Sequence, residues 1–420
     1  MSQTCKSWNR DVVENVSQLR PRAGANNIRR YSMLLSLDLL KTASTGLRLS
    51  SCPPSLRHVA LQPGSVARFF NRRHSDPWRG LHMAELEHVT IAASPGESSD
   101  ETLRMHQLPS TLTTLHIEHC ASCWPRLPTK GLDSPLRMLP PDCARNLTEL
   151  SLRATVSNNR RTHTPFGEVT WGLVGLDELV HLRTLILSQN LAIGAPEMRL
   201  IAHLHRLTSL DLSHVASMDV DGLKSLRPLQ QLTVLLMTDT PWIGTADGLS
   251  EAGEFPKLQR LSLPDTRFVT GDVFGYVHET QVTPMLSGMA KLHDLCELRL
   301  DERLFHSALR VTVGAEPVAT FDGVTTVSVL LRGVPSKHRQ FYSTACKRIF
   351  PALSTLNFCR AHRIRTRDLQ DMQYLMYDHD VAVVVRDLDG NDCTQRLFAV
   401  APWRSMLDDA GTDPTSIVNV

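Results

Sequence analysis

Cys120 and Cys123 stand at the two-residue spacing that lets a pair of thiolates share one zinc ion, with His119 beside them and Cys143 as a further donor. Asp387-Leu-Asp389-Gly390-Asn391 has the acidic and amide oxygens of a calcium loop, but its glycine comes early and Phe398 sits where the closing glutamate belongs. That stretch reads better as a hairpin turn. His82 to His88 encloses Glu85 and Glu87, at the wrong spacing for two histidines on one helical face. No phosphate-cradling glycine loop, dinucleotide fingerprint or HExxH helix occurs in the chain. The serines, histidines and aspartates form no nucleophile constellation, so the expectation is a protein without catalysis, cofactor or metal. Arg360, Arg363, Arg365 and Arg367 follow Lys347-Arg348 as a basic cluster that can contact phosphates. They lack interleaved aromatics and run directly into Asp368, Asp371, Asp378 and Asp380. A solvated or internally paired surface is the simpler reading. A nucleic-acid-associated protein using Arg360–Arg367 is the alternative function.

The elements that carry these residues are set by a repeat. An L-x-x-L-x-L pattern recurs as Leu147–Leu152, Leu182–Leu187, Leu207–Leu212, Leu232–Met237, Leu258–Leu263 and Leu295–Leu300. Looser copies start at Leu56, Leu86, Leu112, Val324 and Leu353. Apolar fourth and sixth positions around a mostly polar fifth make a strand with one buried face. Between strands the apolar spacing changes to three, as in Leu173, Leu176, Leu179, Leu182 and again in Leu223, Leu226, Leu229, Leu232. Such spacing puts leucines on one stripe of a helix or helical turn. A strand followed by a helical segment, at about 25 residues per unit, cannot close a core alone, so the units must stack.

On these residues the chain resembles the leucine-rich-repeat family over about residues 52–365. The resemblance implies an α/β solenoid with a parallel sheet on the concave face, helices outside and caps at both ends. The family places Asn or Cys after the strand to satisfy loop backbone. Here Asn190 and Cys120 fall at that place, which gives Cys120 a structural role that competes with zinc. Thr155, Thr240 and Thr266 stand there in other copies, and Val215 and Arg303 elsewhere, so the ladder is expected to be incomplete. The units resemble the cysteine-containing or ribonuclease-inhibitor-like classes. Gly271–Gln281 reads as an outward loop.

At the N-terminus Cys5, Lys6, Trp8 and Arg10 match the C-K-x-W-x-R tail of an F-box, and F-box proteins with leucine-rich repeats are substrate receptors of SCF-type ubiquitin ligases. The L-P-x-E helix that meets the Skp adaptor is absent from the chain. The same residues read equally as a short amphipathic cap with Trp8, Val12 and Val13 in its core. Beyond Phe358, the Asp368–Tyr377 stretch reads as a helix, with Val381–Val385 and Arg396–Val400 as a terminal hairpin. The expected organisation is thus a helical cap with an F-box-like tail over 1–51, repeats over 52–365 and a helix-and-hairpin cap over 366–420.

The 420 residues are 42% apolar and 21% charged with a net charge of +2, which fits a folded chain and gives no strong field for nucleic acid or anionic membrane. Nine irregularly spaced cysteines argue against a secreted disulfide framework. No apolar h-region opens the chain and no run approaches the roughly 18 residues of a membrane span. An intracellular, reducing setting in cytoplasm or nucleus is expected. If the repeats stack, the residues flanking the strand leucines form one recognition row for a protein partner. That row comprises Glu149, Ser151 and Arg153; Thr184, Ile186 and Ser188; Ser209 and Asp211; Val234 and Leu236; Arg260; Glu297 and Arg299. Ile186, Val234 and Leu236 are apolar on a face that should meet water, which marks either a partner site or cover by a loop of the same chain.

Overall fold

The computed structural model describes residues 18–19, 36–38, 55–61, 86–92, 108–118, 135–153, 173, 175–189, 193–215, 220–238, 240, 254–263, 279–312, 319–331, 343–359, 363–365, 372, 375–377, 379–387, 391–395 and 417–419. They fall into two compact units that meet in sequence near Asp211 and Leu212. Each unit is a leucine-rich-repeat stack with one parallel strand per repeat.

In the first unit the strands are β1 (Gln18–Leu19), β2 (Ser36–Asp38), β3 (His58–Leu61), β4 (His88–Ala92), β5 (Thr114–Glu118), β6 (Glu149–Arg153), β7 (Thr184–Ile186) and β8 (Ser209–Asp211). Each pairs parallel with the next, in unbroken sequence order. In the second unit β9 (Val234–Leu236), β10 (Arg260–Ser262), β11 (Glu297–Asp301), β12 (Thr326–Leu330) and β13 (Thr355–Cys359) follow the same rule. The strand of every repeat copy recognised in the sequence begins two residues after the first leucine or valine of its motif.

The burial pattern explains this offset. The first, fourth and sixth motif positions are closed off, as in Leu147, Leu150 and Leu152 or Leu258, Leu261 and Leu263. Alternation at period two leaves the third and fifth positions on the opposite face. The threefold leucine spacing has an equally direct cause. The N–H of Leu226 donates to the carbonyl of Leu223, Leu229 to Leu226 and Leu232 to Leu229, and the same chain of bonds links Leu173, Leu176, Leu179 and Leu182. These are turns of three residues, tighter than an α-helix, so consecutive leucines eclipse and all enter the core. Gly175 opens one such turn at φ 92°, and a Cβ there would lie 2.7 Å from Arg137 Cγ. Among the described residues the true helices of the first unit are short, α1 (Pro141–Asn146) and α2 (Ala195–Ile201). The second has α3 (Val220–Ser225), α4 (Glu279–Met289), α5 (Glu302–Thr312) and α6 (Ser343–Ile349).

The second motif position carries its own device. Thr113 Oγ1 donates to the Glu87 carbonyl, Thr148 to Thr113, Thr208 to Arg183, Thr325 to Cys296 and Ser354 to Thr325. In each pair the acceptor is the second-position carbonyl of the preceding repeat, which also receives two backbone N–H groups, as Thr113 does from Thr148 and Glu149. The ladder is therefore built at the start of the strand. After the strand, Thr240 is fully buried and its hydroxyl donates to the Leu212 carbonyl at 2.9 Å, so threonine fills the place that asparagine holds in the family. Asn190, Cys120, Thr155 and Thr266 lie outside the described residues.

Several expectations are corrected. Strand pairing begins at β1 and β2, inside the stretch read as a helical cap. Val381–Val385 does not start a hairpin: β15 (Ala382–Val385) pairs parallel with β13 and extends the repeat sheet. The antiparallel pair in this region joins β14 (Arg363–Arg365) to β16 (Ile417–Asn419). Glu279–Gln281 opens α4 and is not loop. The F-box-like segment Cys5–Arg10 and the Arg396–Val400 strand lie outside the described residues, while Met372 and 375–377 are helical as the spacing predicts.

Candidate functional site

The exposed side of each sheet collects residues far apart in sequence. In the first unit, register aligns Glu149, Thr184 and Ser209 in one row and Ser151, Ile186 and Asp211 in the next. In the second unit Val234, Arg260 and Glu297 align, as do Leu236, Ser262 and Arg299. Corresponding positions on neighbouring strands are about 4.8 Å apart, so each row is a surface of touching side chains.

Two members of the predicted row are not available to a partner. Ser151 and Ser188 are 1% and 4% exposed. Both are short side chains among taller neighbours, and Arg153 lies across Ser188, its Nε donating to the hydroxyl at 3.1 Å while Nη1 stands 3.9 Å from Glu118. Ile186, Val234 and Leu236 are half-buried, Ile186 in the first unit and the other two in the second. Among the described residues the largest exposed apolar side chains are elsewhere, Tyr377, Val180 and Met138. Arg260 pairs with Glu297 at 3.2 Å across β10 and β11. Arg299 is half-buried, and its Nε has no hydrogen-bond partner among the described residues.

The first-unit face also carries a group of histidines, of which the sequence reading weighed His88 alone, and only as a metal ligand paired with His82. His58 and His88 occupy the third position of neighbouring repeats, and their rings stack at 4.1 Å with planes 4° apart. His116, at a fifth position, meets Glu149 Oε1 through Nε2 at 2.9 Å. The signal was present: counting two and four residues from Leu56, Leu86 and Leu112 lands on all three. Ser151 is in register with His116. Its hydroxyl has no partner and is closed to solvent, so the His116–Glu149 pair commands no reachable nucleophile. Burial first, and then the adjacent His58, hold His88 below its ordinary 6.5, against Glu87 and Glu149, which favour its charged form, with His116 adding to the depression. A histidine depressed in the fold is protonated first in the unfolded chain. Its stabilisation is whole above about pH 6.5 and is lost as pH falls below that. Thermal unfolding of the wild type should therefore move to lower temperature more steeply between about pH 7.5 and 5 than that of His88→Gln. Parallel slopes would remove His88 from this account.

No family model matches this chain, and no curated protein matches it. Among solved structures it is similar to an internalin from Listeria monocytogenes, at 14% identity and a TM-score of 0.38, over 83% of this chain and 88% of that one. The leucine-rich-repeat assignment rests on the repeat geometry described above.

Among the described residues no group of three or more His, Cys, Asp or Glu side chains is placed to hold a metal ion. Cys143 is buried on α1, and desolvation pushes its thiol up to about 12. His119, Cys120, Cys123 and His82 lie outside the described residues. Asp387 is occupied by its own turn, accepting from the Asn391 N–H at 2.8 Å and from Asn391 Nδ2 at 3.0 Å, next to an Arg386–Asp392 bridge. Arg363 and Arg365 belong to β14, whereas Arg360 and Arg367 lie outside the described residues. No described helix is long and apolar enough to cross a membrane.

Proposed function

We propose that this chain is a non-enzymatic scaffold that holds a protein partner against the exposed side of its repeat sheet. One observation carries the reading. The core positions of the repeats are all aliphatic or aromatic and mostly leucine, while the third and fifth positions differ from repeat to repeat and stand in register. Chemical variety concentrated on a face that each unit holds in register is what selective recognition of a partner requires.

Affinity capture with the full chain, followed by mass spectrometry, tests it. Leu236→Asp on β9 and Ile186→Asp on β7 should each cut recovery of the captured protein by roughly tenfold or more, the scale of a buried contact residue. Far-UV circular dichroism should stay unchanged, because both side chains lie on the outer face. Undiminished capture by both folded variants would sink the proposal.

A finer form makes the chain a substrate-recruiting subunit of an SCF-type ubiquitin ligase. Its support is the spacing of Cys5, Lys6, Trp8 and Arg10. Co-purification with a Skp adaptor is the outcome it requires. An intracellular setting accords with the cysteines, since Cys296, Cys359 and Cys393 are unpaired and at least partly accessible.

A further inference from the structure

The two arginines on the second unit's outer face differ in what they meet. Arg260 is satisfied by Glu297. Arg299, in the next row, has no carboxylate or carbonyl partner among the described residues, although acids stand two residues away on either side of it on β11. Glu297 is engaged by Arg260, and Asp301 accepts from the Leu304 N–H at 2.7 Å to cap α5. Arg299 Nε is closed to solvent with no acceptor, while the terminal guanidinium nitrogens are not enclosed in this way. The register neighbours are Ser262, 1% exposed, and Ser328, 9% exposed, so the guanidinium stands among short hydroxyl side chains. Those hydroxyls look elsewhere: Ser262 shares a 2.6 Å hydrogen bond with Thr238, and Ser328 accepts from Asn357 Nδ2.

A buried, unsatisfied N–H on a permanently charged group is costly, and such a group in a native protein calls for a reason. Packing around Nε restricts the side chain's rotamers while its terminal fork faces water, which lowers the entropy lost when an anion docks. We propose that Arg299 is the anchor of a carboxylate-binding site, taking an Asp or Glu side chain of the partner protein on the recognition face. This rests on that face being the recognition surface. A single-charge carboxylate suits the site better than a phosphoryl group, because the nearby Arg260 is already neutralised and Glu297 stands on the same strand face.

Labelled hexaglutamate, hexaglutamine and a phosphoserine peptide, titrated into the full chain and followed by fluorescence anisotropy, test the assignment. Hexaglutamate should bind and hexaglutamine should not. Arg299→Gln should weaken hexaglutamate by about tenfold, the usual scale for losing a charge-assisted fork. Arg299→Lys, which keeps the charge without the fork, should fall between, and Arg260→Gln should change binding less than about twofold. Unchanged hexaglutamate binding in Arg299→Gln would overturn the site. So would a preference for the phosphoserine peptide that the same substitution removes. Partner capture separates the two levels. Loss with Leu236→Asp but not with Arg299→Gln retains the surface and rejects the carboxylate anchor, whereas capture indifferent to both rejects both.

Discussion

Leu298→Asp is expected to prevent the second unit from folding, while Arg299→Gln, one residue further along β11, leaves it folded. Leu298 has no solvent exposure and lies in register between Leu261 and Val327, both equally enclosed. A carboxyl group there has no hydrogen-bonding partner and must either carry a charge in an apolar core or take up a proton. Either way the cost is several kcal/mol, on top of the lost leucine packing. Total domain stability is about 5–15 kcal/mol, so a single change of this kind consumes most or all of it. Arg299 faces the other way. Its removal deletes an unsatisfied N–H, so stability should stay within about 0.5 kcal/mol or rise slightly. Far-UV circular dichroism and limited proteolysis of the pair decide the matter. A folded Leu298→Asp would mean that the strand's two faces have been exchanged.

Phe305→Ala should cost about 3–5 kcal/mol, the range for deleting a fully buried aromatic side chain. Phe305 lies on α5 with Leu304, Ala308 and Leu309, all without exposure, and Thr312 one turn on at 1%. This stripe presses the helix onto β11 and β12. Equilibrium urea unfolding of the variant should show a lower midpoint with an unchanged slope. A loss below about 1 kcal/mol would show that the helix repacks freely.

The fold was legible because the leucine spacing speaks for itself. Fourth and sixth positions fix the strand, and threefold spacing fixes the turn that returns the chain. One copy was legible and passed over. Leu34-Leu35-Ser36-Leu37-Asp38-Leu39 satisfies the pattern fully and forms β2. β15 was harder, since its first motif position holds Asp380, at φ 51°, and only Val383 and Val385 keep the period. A run of valines before a turn signal looks the same whether its partner is the next strand or one already laid down. Side-chain height was not legible at all. Ser151 and Ser188 look like surface residues in sequence and are enclosed because His116, Ile186 and Arg153 overtop them, a matter of neighbours brought together only by register. The same holds for Arg299: no pattern in the chain tells that Glu297 turns to Arg260 and Asp301 to a helix start.

The threonine ladder at the second motif position gives the stack a direction. Each of the five hydroxyls described above reaches back to the repeat before it. A cut between two repeats would thus leave unlike edges at this row, carbonyls alone on one and hydroxyl donors on the other. Splicing in an extra copy works only head to tail, with a leucine to enter the core and a Thr or Ser beside it to take up the waiting oxygen. The chain carries, in this row, the joint by which units of its own kind can be added or removed.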